Sequence, residues 1–481
     1  MPRVHRLAAG VFITSATIAG TASGQYASEN IELLAELPLS AFGSQHANGN
    51  DCWGYVSASG REYAIMGLSH AAAFVEITDP ANPVIVAQID HPGSLWGDYK
   101  VYGDYCYAVN ENGGGIQVID LADIDNGTVT LVTSIRDNGI SSVHNIAVNE
   151  ESGFLYTCGA SSDRGIIALD LANPARPVAV GWFFGIYNHD AQVVTMKSGR
   201  WAGREIAFCC AGPSGLVIVD VTDKANMREI GRSGYPGLDY CHQGWLSQDQ
   251  RFFYVNDEGD ELHGHTPTTR TLVFDVTDLR SPTLVTTFTT GLPATDHNLY
   301  VHDAFIYEAN YRSGLRLFDA ADPLNPVEVG FFDTYPSNDR AGYNGAWSVY
   351  PYFPSGTVII SDIERGHFVV DVSDALAQRR LFFDTPDLTA GSNASLTVSN
   401  ATADATVSFA YSLSGPGAVY APGVNAMVLL EAPRLGGAAI ADSTGVATLD
   451  LTVPFGTAGL TVWMQAVEDG RISNVIETTI N

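Results

Sequence analysis

The sequence predicts an all-β protein, namely a seven-bladed β-propeller followed by a small C-terminal β-sandwich. Three observations point to this fold class. One short block recurs seven times along the chain. Runs of β-branched and aromatic residues surround each copy and are separated by turn-forming residues. The runs lack the 3.6-residue apolar period of amphipathic helices.

Each recurring block is a strand that ends in an acidic residue and leads into an Asp/Asn-type turn. Leu216–Asp220, with the sequence Leu-Val-Ile-Val-Asp, is one copy. The aligned acidic residues are Glu76, Asp120, Asp170, Asp220, Asp275, Asp319 and Asp371, at intervals of 44 to 55 residues. A repeat of this length indicates a solenoid or a propeller. Four short strands per repeat favour the propeller, in which ring closure protects the sheet edges.

The N-terminal segment has the features of a secretory signal peptide. Arg3 and Arg6 precede an apolar stretch, and small residues lead to a predicted cleavage site near Gly24. The apolar stretch is too short to span a membrane. Residues 1–24 are therefore expected to be removed, leaving a secreted protein that is extracellular or held at the cell surface.

The remaining chain divides into two parts. Residues 25–385 contain the repeats and are assigned to the propeller, with Ile31–Leu37 as an outer strand that completes or flanks the last blade. Residues 386–481 lack the repeat and alternate apolar with polar residues, which predicts a small Ig-like β-sandwich.

Composition excludes some classes of function. The chain has 24 basic and 53 acidic residues, a formal net charge of −29, which argues against nucleic-acid binding. After the signal peptide, no apolar run is long enough to predict a transmembrane segment. In an oxidising compartment some cysteines are expected to pair, but the sequence does not choose the partners. The six are Cys52, Cys106, Cys158, Cys209, Cys210 and Cys241.

Several stretches together resemble a known family. Beside the Leu216–Asp220 block, they are Asn188–Gln192, Cys241–Trp245, Asp296–Tyr300, Asn310–Arg316 and Gly345–Tyr352. Over residues 30–384 the chain resembles the LVIVD-repeat proteins, and within them the bacterial choice-of-anchor B family. The resemblance implies an exported or cell-surface propeller with a variable C-terminal attachment module. It carries no settled biochemical activity.

Blade geometry predicts a site at one mouth of the central channel. The starts of first strands and the ends of second strands lie on the same face of an antiparallel blade. The predicted starts of the first strands are marked by Trp53, Trp96, His144, His189, His242, His297 and Trp347. The ends of the second strands supply Glu111, Asp257, Glu258, Glu308, Asn310, Asp362 and Glu364.

Neutral imidazoles beside carboxylates suit Zn, Fe or Mn. The candidate metal ligands are His144, His189, His242, His297, Asp257 and Glu258, with Glu258 also the candidate general base. The candidate ligand-facing residues are Trp53, Trp96, Trp347, Glu111, Glu308 and Glu364. Two alternatives remain open. The histidines could be structural, held by the adjacent Asp190, Asp239 and Asp296, or they could bind an organic ligand between the tryptophans.

Residues 256–261 form a second candidate site. Their amide and carboxylate oxygens flank a glycine and suit Ca²⁺, although the spacing is not that of an EF-hand. The alternative is an ordinary solvated acidic loop.

Two functions compete at the level of sequence. The leading interpretation is an exported binding or scaffold module for extracellular protein or glycan partners. The alternative is a metal-dependent hydrolase or oxygenase that uses the histidines and carboxylates. The sequence contains no GxSxG, HExxH or P-loop motif that would favour another enzyme class.

Overall fold

The computed structural model describes residues 26–160, 164–320, 322–378, 380–424, 426–469 and 471–481. The predicted all-β class is confirmed, because these residues are mainly strands. Helical segments are few and short: Leu39–Phe42, Ile124–Asn126, Gly199–Trp201 and Ser373–Ala377. No helix in the described ranges is long and apolar enough to cross a membrane. The predicted signal peptide lies outside the described residues.

Within residues 28–371, the described chain forms seven antiparallel sheets, numbered here in chain order. Sheet 1 contains Gly49–Val56, Glu62–Leu68, Ala71–Glu76 and Val84–Asp90. Sheet 2 contains Gly97–Tyr102, Tyr105–Asn110, Ile116–Asp120 and Thr130–Ile135. Sheet 3 contains Asn145–Asn149, Phe154–Cys158, Arg164–Asp170 and Val178–Phe184. Sheet 4 contains Asp190–Thr195, Glu205–Cys210, Leu216–Asp220 and Arg228–Ser233.

The last three sheets follow the same pattern, and two of them include strands from the N-terminal segment. Sheet 5 contains Cys241–Leu246, Phe252–Asp257, Thr271–Asp275 and Thr283–Phe288. Sheet 6 contains Asn298–His302, Phe305–Ala309, Leu315–Asp319 and Val327–Phe332, with Ser28–Glu29 as a fifth strand. Sheet 7 contains Ala346–Tyr350, Thr357–Asp362, Gly366–Asp371 and Glu32–Pro38.

An N-terminal strand completes the last sheet, as the sequence predicts. Glu32–Pro38 pairs antiparallel with Gly366–Asp371, and Leu37 lies opposite His367. The two ends of the repeat region are therefore joined by backbone hydrogen bonds.

The sheets pack side by side in a closed cycle. The first strand of each sheet contacts the first strand of the next, and the first strand of sheet 7 contacts that of sheet 1. A separate buried apolar cluster fills each of the seven junctions. Between sheets 7 and 1, Ile359 and Val369 pack with Met66 and Val75. Burial of these apolar faces is the main source of stability for such a ring.

The recurring acids end the third strand of every sheet, which confirms the predicted position of the repeat. The carboxylate accepts the backbone N–H of the residue two positions later at Asp120, Asp170, Asp220, Asp275 and Asp371. The bond is 2.9 Å long at Asp120, 2.8 Å at Asp275 and 2.7 Å at Asp371. An acid at this position shapes the turn toward the fourth strand. Part of the net negative charge of the chain therefore comes from acids that stabilise turns between strands.

The C-terminal part has its own sheets and its own core. One sheet contains Phe382–Asp384, Asn393–Ser399 and Ala447–Thr452. The other contains Arg434–Ile440, Thr406–Ser412, Thr461–Glu468 and Arg471–Thr479. Pro416–Ala421 and Ala426–Leu430 form a hairpin. Both sheets contribute to one core, for example Leu396 and Phe409. The first strand begins before the predicted boundary at residue 386.

All six cysteines are buried and unpaired. The expectation that some of them pair is therefore not met: the fold relies on packing between sheets without cross-links.

Candidate functional site

Four buried imidazoles lie side by side in an arc at one end of the ring. They stand at the starts of the first strands of sheets 3 to 6, so neighbouring sheets carry neighbouring rings. The ring centroids of His144 and His189 are 4.2 Å apart, those of His189 and His242 4.2 Å, and those of His242 and His297 4.3 Å. The structure thus brings together the four histidines singled out from the sequence.

Backbone carbonyls fix the tautomer of two of these rings. Nδ1 of His189 is 2.8 Å from the carbonyl oxygen of His242, and Nδ1 of His297 is 2.7 Å from that of Trp347. A carbonyl oxygen only accepts, so each Nδ1 carries the proton and each Nε2 keeps its lone pair.

Burial favours the neutral form of three imidazoles of the arc, those of His189, His242 and His297. Burial lowers the pKa of His189 and His242 well below the usual value, and the neighbouring imidazoles lower it further. Burial lowers the pKa of His297 to about 3. At neutral pH these rings therefore present unprotonated nitrogens, the form in which histidine binds metals.

Glu258 faces two of the rings and is oriented by a tyrosine. Its Oε2 is 3.8 Å from Nε2 of His242, and its Oε1 is 3.8 Å from Nε2 of His297. The hydroxyl of Tyr311 donates to Oε1 at 2.6 Å. Burial raises the pKa of Glu258, and the bond from Tyr311 opposes that rise. Distances of 3.8 Å are too long for hydrogen bonds.

His242, His297 and Glu258 are spaced as ligands of one ion. Their ligand atoms lie within 4.8 Å of one another. Two ligands of a tetrahedral zinc ion, each at about 2.1 Å, are about 3.4 Å apart, so a small movement would suffice. Two histidines with one carboxylate are found in zinc enzymes and non-haem iron enzymes. Among the described residues, His144 and His189 do not belong to this group, so the four histidines do not converge on one point.

His144 instead pairs with Glu111. Its Nδ1 is 2.6 Å from Oε1 of Glu111, and this contact lowers the pKa of the carboxyl group. The Glu111 side chain is 37% exposed, so the pair is open to solvent beside the arc. A histidine hydrogen-bonded to a glutamate is a pair of side chains of the kind used in general acid–base catalysis.

Asp257 has a structural role. Its carboxylate accepts hydrogen bonds from the Tyr235 hydroxyl at 2.9 Å and from the backbone N–H groups of Asp239 and Tyr240 at 2.8 and 2.7 Å. With both oxygens engaged, it is not placed to bind a metal with the histidines. The sequence-based proposal of Asp257 as a ligand is not supported by this geometry.

Two of the candidate ligand-facing carboxylates are also bound within the protein. Glu308 is 1% exposed and accepts from Thr271 and Asn310 at 2.6 and 2.7 Å. Glu364 accepts from the Asn344 side chain at 2.5 Å and from the backbone of Gly345 at 2.9 Å. Glu308 is therefore buried inside the protein, whereas Glu364 stays exposed and keeps acceptor capacity beside these two bonds.

The three tryptophans occupy different environments. Trp347 is buried, with its ring at 5.2 Å from that of His297. Trp96 precedes the first strand of sheet 2 and is 42% exposed. Trp53 lies inside its strand and not at the start, because a register shift between Gly49 and Cys52 adds residues before it.

The acids adjacent to the histidines do not hold them. Asp190 accepts from the backbone of Ala191 at 2.7 Å, and Asp296 accepts from the backbone of Arg270 at 2.7 Å. Asp239 contacts two exposed histidines, His263 and His265, outside the arc.

A charged layer that the sequence analysis did not identify lies next to the arc. Asp51, Asp98 and Asp190 share a cavity of about 10 Å³ with three of the histidines, enough for about one water molecule. Lys100 contacts Asp98 and lies 3.8 Å from Asp51. Burial, reinforced by Asp98, raises the pKa of Asp190 to about 7. The sequence feature that could have revealed this layer is the recurrence of polar residues in first strands that are otherwise apolar.

The acidic segment 256–261 divides among three environments. Asp257 shapes a turn, and Glu258 faces the histidines. Asp260 and Glu261 instead meet Asp296, and the ligand oxygens of these three residues lie within 4.8 Å of one another. The continuous calcium loop expected from the sequence is thus replaced by a cluster from two sheets.

Comparison with known proteins finds likeness only among solved structures. No family model and no curated protein matches the chain. The structure is similar to that of U3-55K, at 10% identity over 71% of this chain and 97% of that chain, with a TM-score of 0.47. It is similar to Kuenenia stuttgartiensis hydrazine synthase, at 11% identity over 66% and 93% of the two chains, with a TM-score of 0.45. A functionally unknown protein from Desulfotomaculum acetoxidans DSM 771 matches at 12% identity over 61% and 87%, with a TM-score of 0.43.

Proposed function

We propose that the protein is an exported seven-bladed β-propeller of the LVIVD-repeat type with a C-terminal β-sandwich, and that its mouth is a divalent-metal centre. The architecture is supported by seven sheets in a closed cycle and by the N-terminal strand that completes sheet 7. The two sheets around one core support the sandwich. Export rests on the sequence of residues 1–24.

The metal centre rests on one observation. The Nε2 atoms of the buried His242 and His297 each lie 3.8 Å from a carboxylate oxygen of the partly buried Glu258, and the ligand atoms of the three residues lie within 4.8 Å of one another. A cation placed between the two neutral imidazole nitrogens and the carboxylate would be attracted by all three groups at once. Zn²⁺, Fe²⁺ or Mn²⁺ fits this donor set.

The residues around the centre have supporting roles. The carbonyl of Trp347 fixes the tautomer of His297, and Tyr311 orients Glu258. Such outer partners position ligands and tune their basicity. Because Glu258 is used as a ligand in this arrangement, it is not the general base considered from sequence.

We assign a metal-dependent hydrolytic reaction to the centre. A bound divalent ion lowers the pKa of water and polarises a substrate oxygen. The His144–Glu111 pair at the solvent-exposed end of the arc is the residue pair suited to accept a proton. Glu258 is 18% exposed, so the centre is reachable from the mouth.

A zinc titration of the metal-stripped protein tests the proposal. We expect one high-affinity Zn²⁺ per chain, and a loss of affinity in His242→Ala, His297→Ala and Glu258→Gln that exceeds the roughly 10–100-fold typical of an outer partner. His302→Ala is the matched control, since His302 lies at the far end of the strand that follows His297 and its Nδ1 donates to the Pro351 carbonyl at 2.9 Å. Equal affinity in all variants would refute the centre.

A second candidate, a binding module for extracellular glycans or proteins, is favoured by exposed aromatic residues near the arc. Tyr187 is 48% exposed and Tyr343 52%. Their rings lie 6.5 Å from that of His189 and 5.4 Å from that of Tyr311, respectively. Aromatic faces stack on planar or apolar ligand surfaces.

A fluorescence titration with oligosaccharides tests this second role. Tyr187→Ala and Tyr343→Ala are expected to weaken binding. Phe455→Ala, which removes an 86% exposed aromatic residue of the C-terminal part, is expected to leave it unchanged. An equal response of all three variants would contradict a glycan-binding surface at the mouth.

A further inference from the structure

We propose that Asp260, Glu261 and Asp296 form a second cation site, separate from the histidine arc and specific for a hard divalent cation such as Ca²⁺. Asp260 and Glu261 lie in the loop between the second and third strands of sheet 5. Asp296 lies just before the first strand of sheet 6. The site therefore joins two neighbouring sheets.

The three carboxylates are buried, with exposed fractions of 0% for Asp260, 8% for Glu261 and 0% for Asp296. One oxygen of each aspartate is already bonded. The Arg270 guanidinium donates to Oδ2 of Asp260 at 2.6 and 2.9 Å, and the Arg270 backbone N–H donates to Oδ2 of Asp296 at 2.7 Å. These bonds hold the two carboxylates in fixed orientations.

Four carboxylate oxygens in the cluster remain without a donor. They are Oδ1 of Asp260, Oδ1 of Asp296 and both oxygens of Glu261. Buried oxygens without a donor carry a large desolvation cost. Their unpartnered state is the observation that points to a ligand, because an acidic cluster on a protein surface would be satisfied by water.

The charge of the cluster is unbalanced. Three carboxylates face one cation, since Arg270 makes the one ion pair with them in the described ranges. One divalent ion would neutralise the remaining charge of two. The alternative to a bound cation is that two of the three carboxyl groups are protonated and donate hydrogen bonds within the cluster.

The donor set selects the kind of ion. All four free ligand atoms are carboxylate oxygens, and Glu261 offers both of its oxygens, as the bidentate glutamate of many calcium sites does. Nitrogen and sulfur ligands, which favour zinc, iron and copper, do not belong to the cluster. Water would complete the 6–8 oxygens that Ca²⁺ prefers.

The site would anchor the loop that begins with Glu258. Glu261 follows Glu258 by three residues, and Asp296 directly precedes His297. A bound cation would thus fix two segments that also carry the proposed zinc ligands. The proposed calcium site does not depend on the proposed zinc site, so an experiment can disprove one proposal and leave the other standing.

The test is a calorimetric titration of the EDTA-treated full chain with CaCl₂, accompanied by thermal melts with and without Ca²⁺. We expect one Ca²⁺ per chain and a rise in melting temperature. Glu261→Gln and Asp296→Asn are each expected to bind at least about tenfold more weakly, because each loses a charged ligand. His242→Ala is expected to bind Ca²⁺ normally.

Asp278→Asn is the matched control, because Asp278 is an exposed turn acid of the same sheet. Glu261→Gln keeps the test decisive if Asp296→Asn fails to fold, since no N–H or O–H group of the described residues donates a hydrogen bond to the Glu261 carboxylate. Absence of heat and of any thermal shift with Ca²⁺ would overturn the proposal in favour of shared protons. Equal affinity of Glu261→Gln and the unmodified protein would overturn it in favour of nonspecific surface binding.

Discussion

Replacing Glu308 with glutamine is expected to change how the stability of the ring depends on pH. The Glu308 carboxyl is buried between sheets 5 and 6, and burial raises its pKa from 4.5 to about 7 despite hydrogen bonds from Thr271 and Asn310. Between pH 4.5 and 7 the folded state therefore binds more protons than the unfolded state. Stability must fall as the pH rises through this window.

The size of the effect follows from the pKa difference. At about 1.4 kcal/mol for each pKa unit, ionisation of Glu308 in the folded state costs about 3 kcal/mol above pH 7. Glutamine keeps the shape, can accept from Asn310 and can donate to the Thr271 hydroxyl. We therefore expect the difference in free energy of unfolding between Glu308→Gln and the unmodified protein to grow in favour of the variant by about 3 kcal/mol as the pH rises from 5 to 8.

Urea denaturation followed by tryptophan fluorescence at pH 5, 6, 7 and 8 measures this difference. Glu150→Gln, at an exposed position, is the control, and its free energy of unfolding should change with pH in the same way as that of the unmodified protein. A difference in free energy of unfolding between Glu308→Gln and the unmodified protein that stays constant across this pH range would refute the reasoning. It would mean that burial does not raise the pKa of the Glu308 carboxyl group.

Four further predictions concern the site, the fold and processing. Tyr311→Phe removes the donor to Glu258 and should weaken Zn²⁺ binding about 10–100-fold in a chelator competition assay; unchanged affinity would contradict its orienting role. Gly159→Ala should destabilise the fold by about 1–2 kcal/mol in urea denaturation, because φ is +60° and the new Cβ would lie 2.6 Å from Cβ of His144; an unchanged midpoint would contradict this. Thiol labelling of the denatured, unreduced protein should find six free cysteines, and fewer would reveal disulfides. N-terminal sequencing of the exported protein should begin at Gln25, whereas retention of residues 1–24 would contradict the signal peptide.

The sequence predicts the strands well because the signals are local. Acids such as Asp120 and Asp371, which end third strands, make turn hydrogen bonds within two residues, so their spacing marks strand ends directly. The alignment of four histidines at strand starts follows from the same regularity. The strand Glu32–Pro38 was also recognisable, because it had no repeat of its own to join.

The finer features of the site depend on contacts distant in sequence. The position of Trp53 shifts with an irregular register that no local pattern marks. Tyr311 reaches Glu258 from a turn in which its φ is +42°, across 53 residues of chain. The loop after Glu258 folds back so that Glu261 meets Asp296. Such pairings arise from the packing of neighbouring sheets, which composition and periodicity do not encode.

Anomalous X-ray diffraction at the zinc edge, from crystals of the zinc-loaded protein, tests the central claim most directly. We predict one strong peak about 2.0–2.2 Å from Nε2 of His242, Nε2 of His297 and a carboxylate oxygen of Glu258. A peak shared by His144 and His189, or the absence of any peak at the arc, would contradict a metal centre on these three residues.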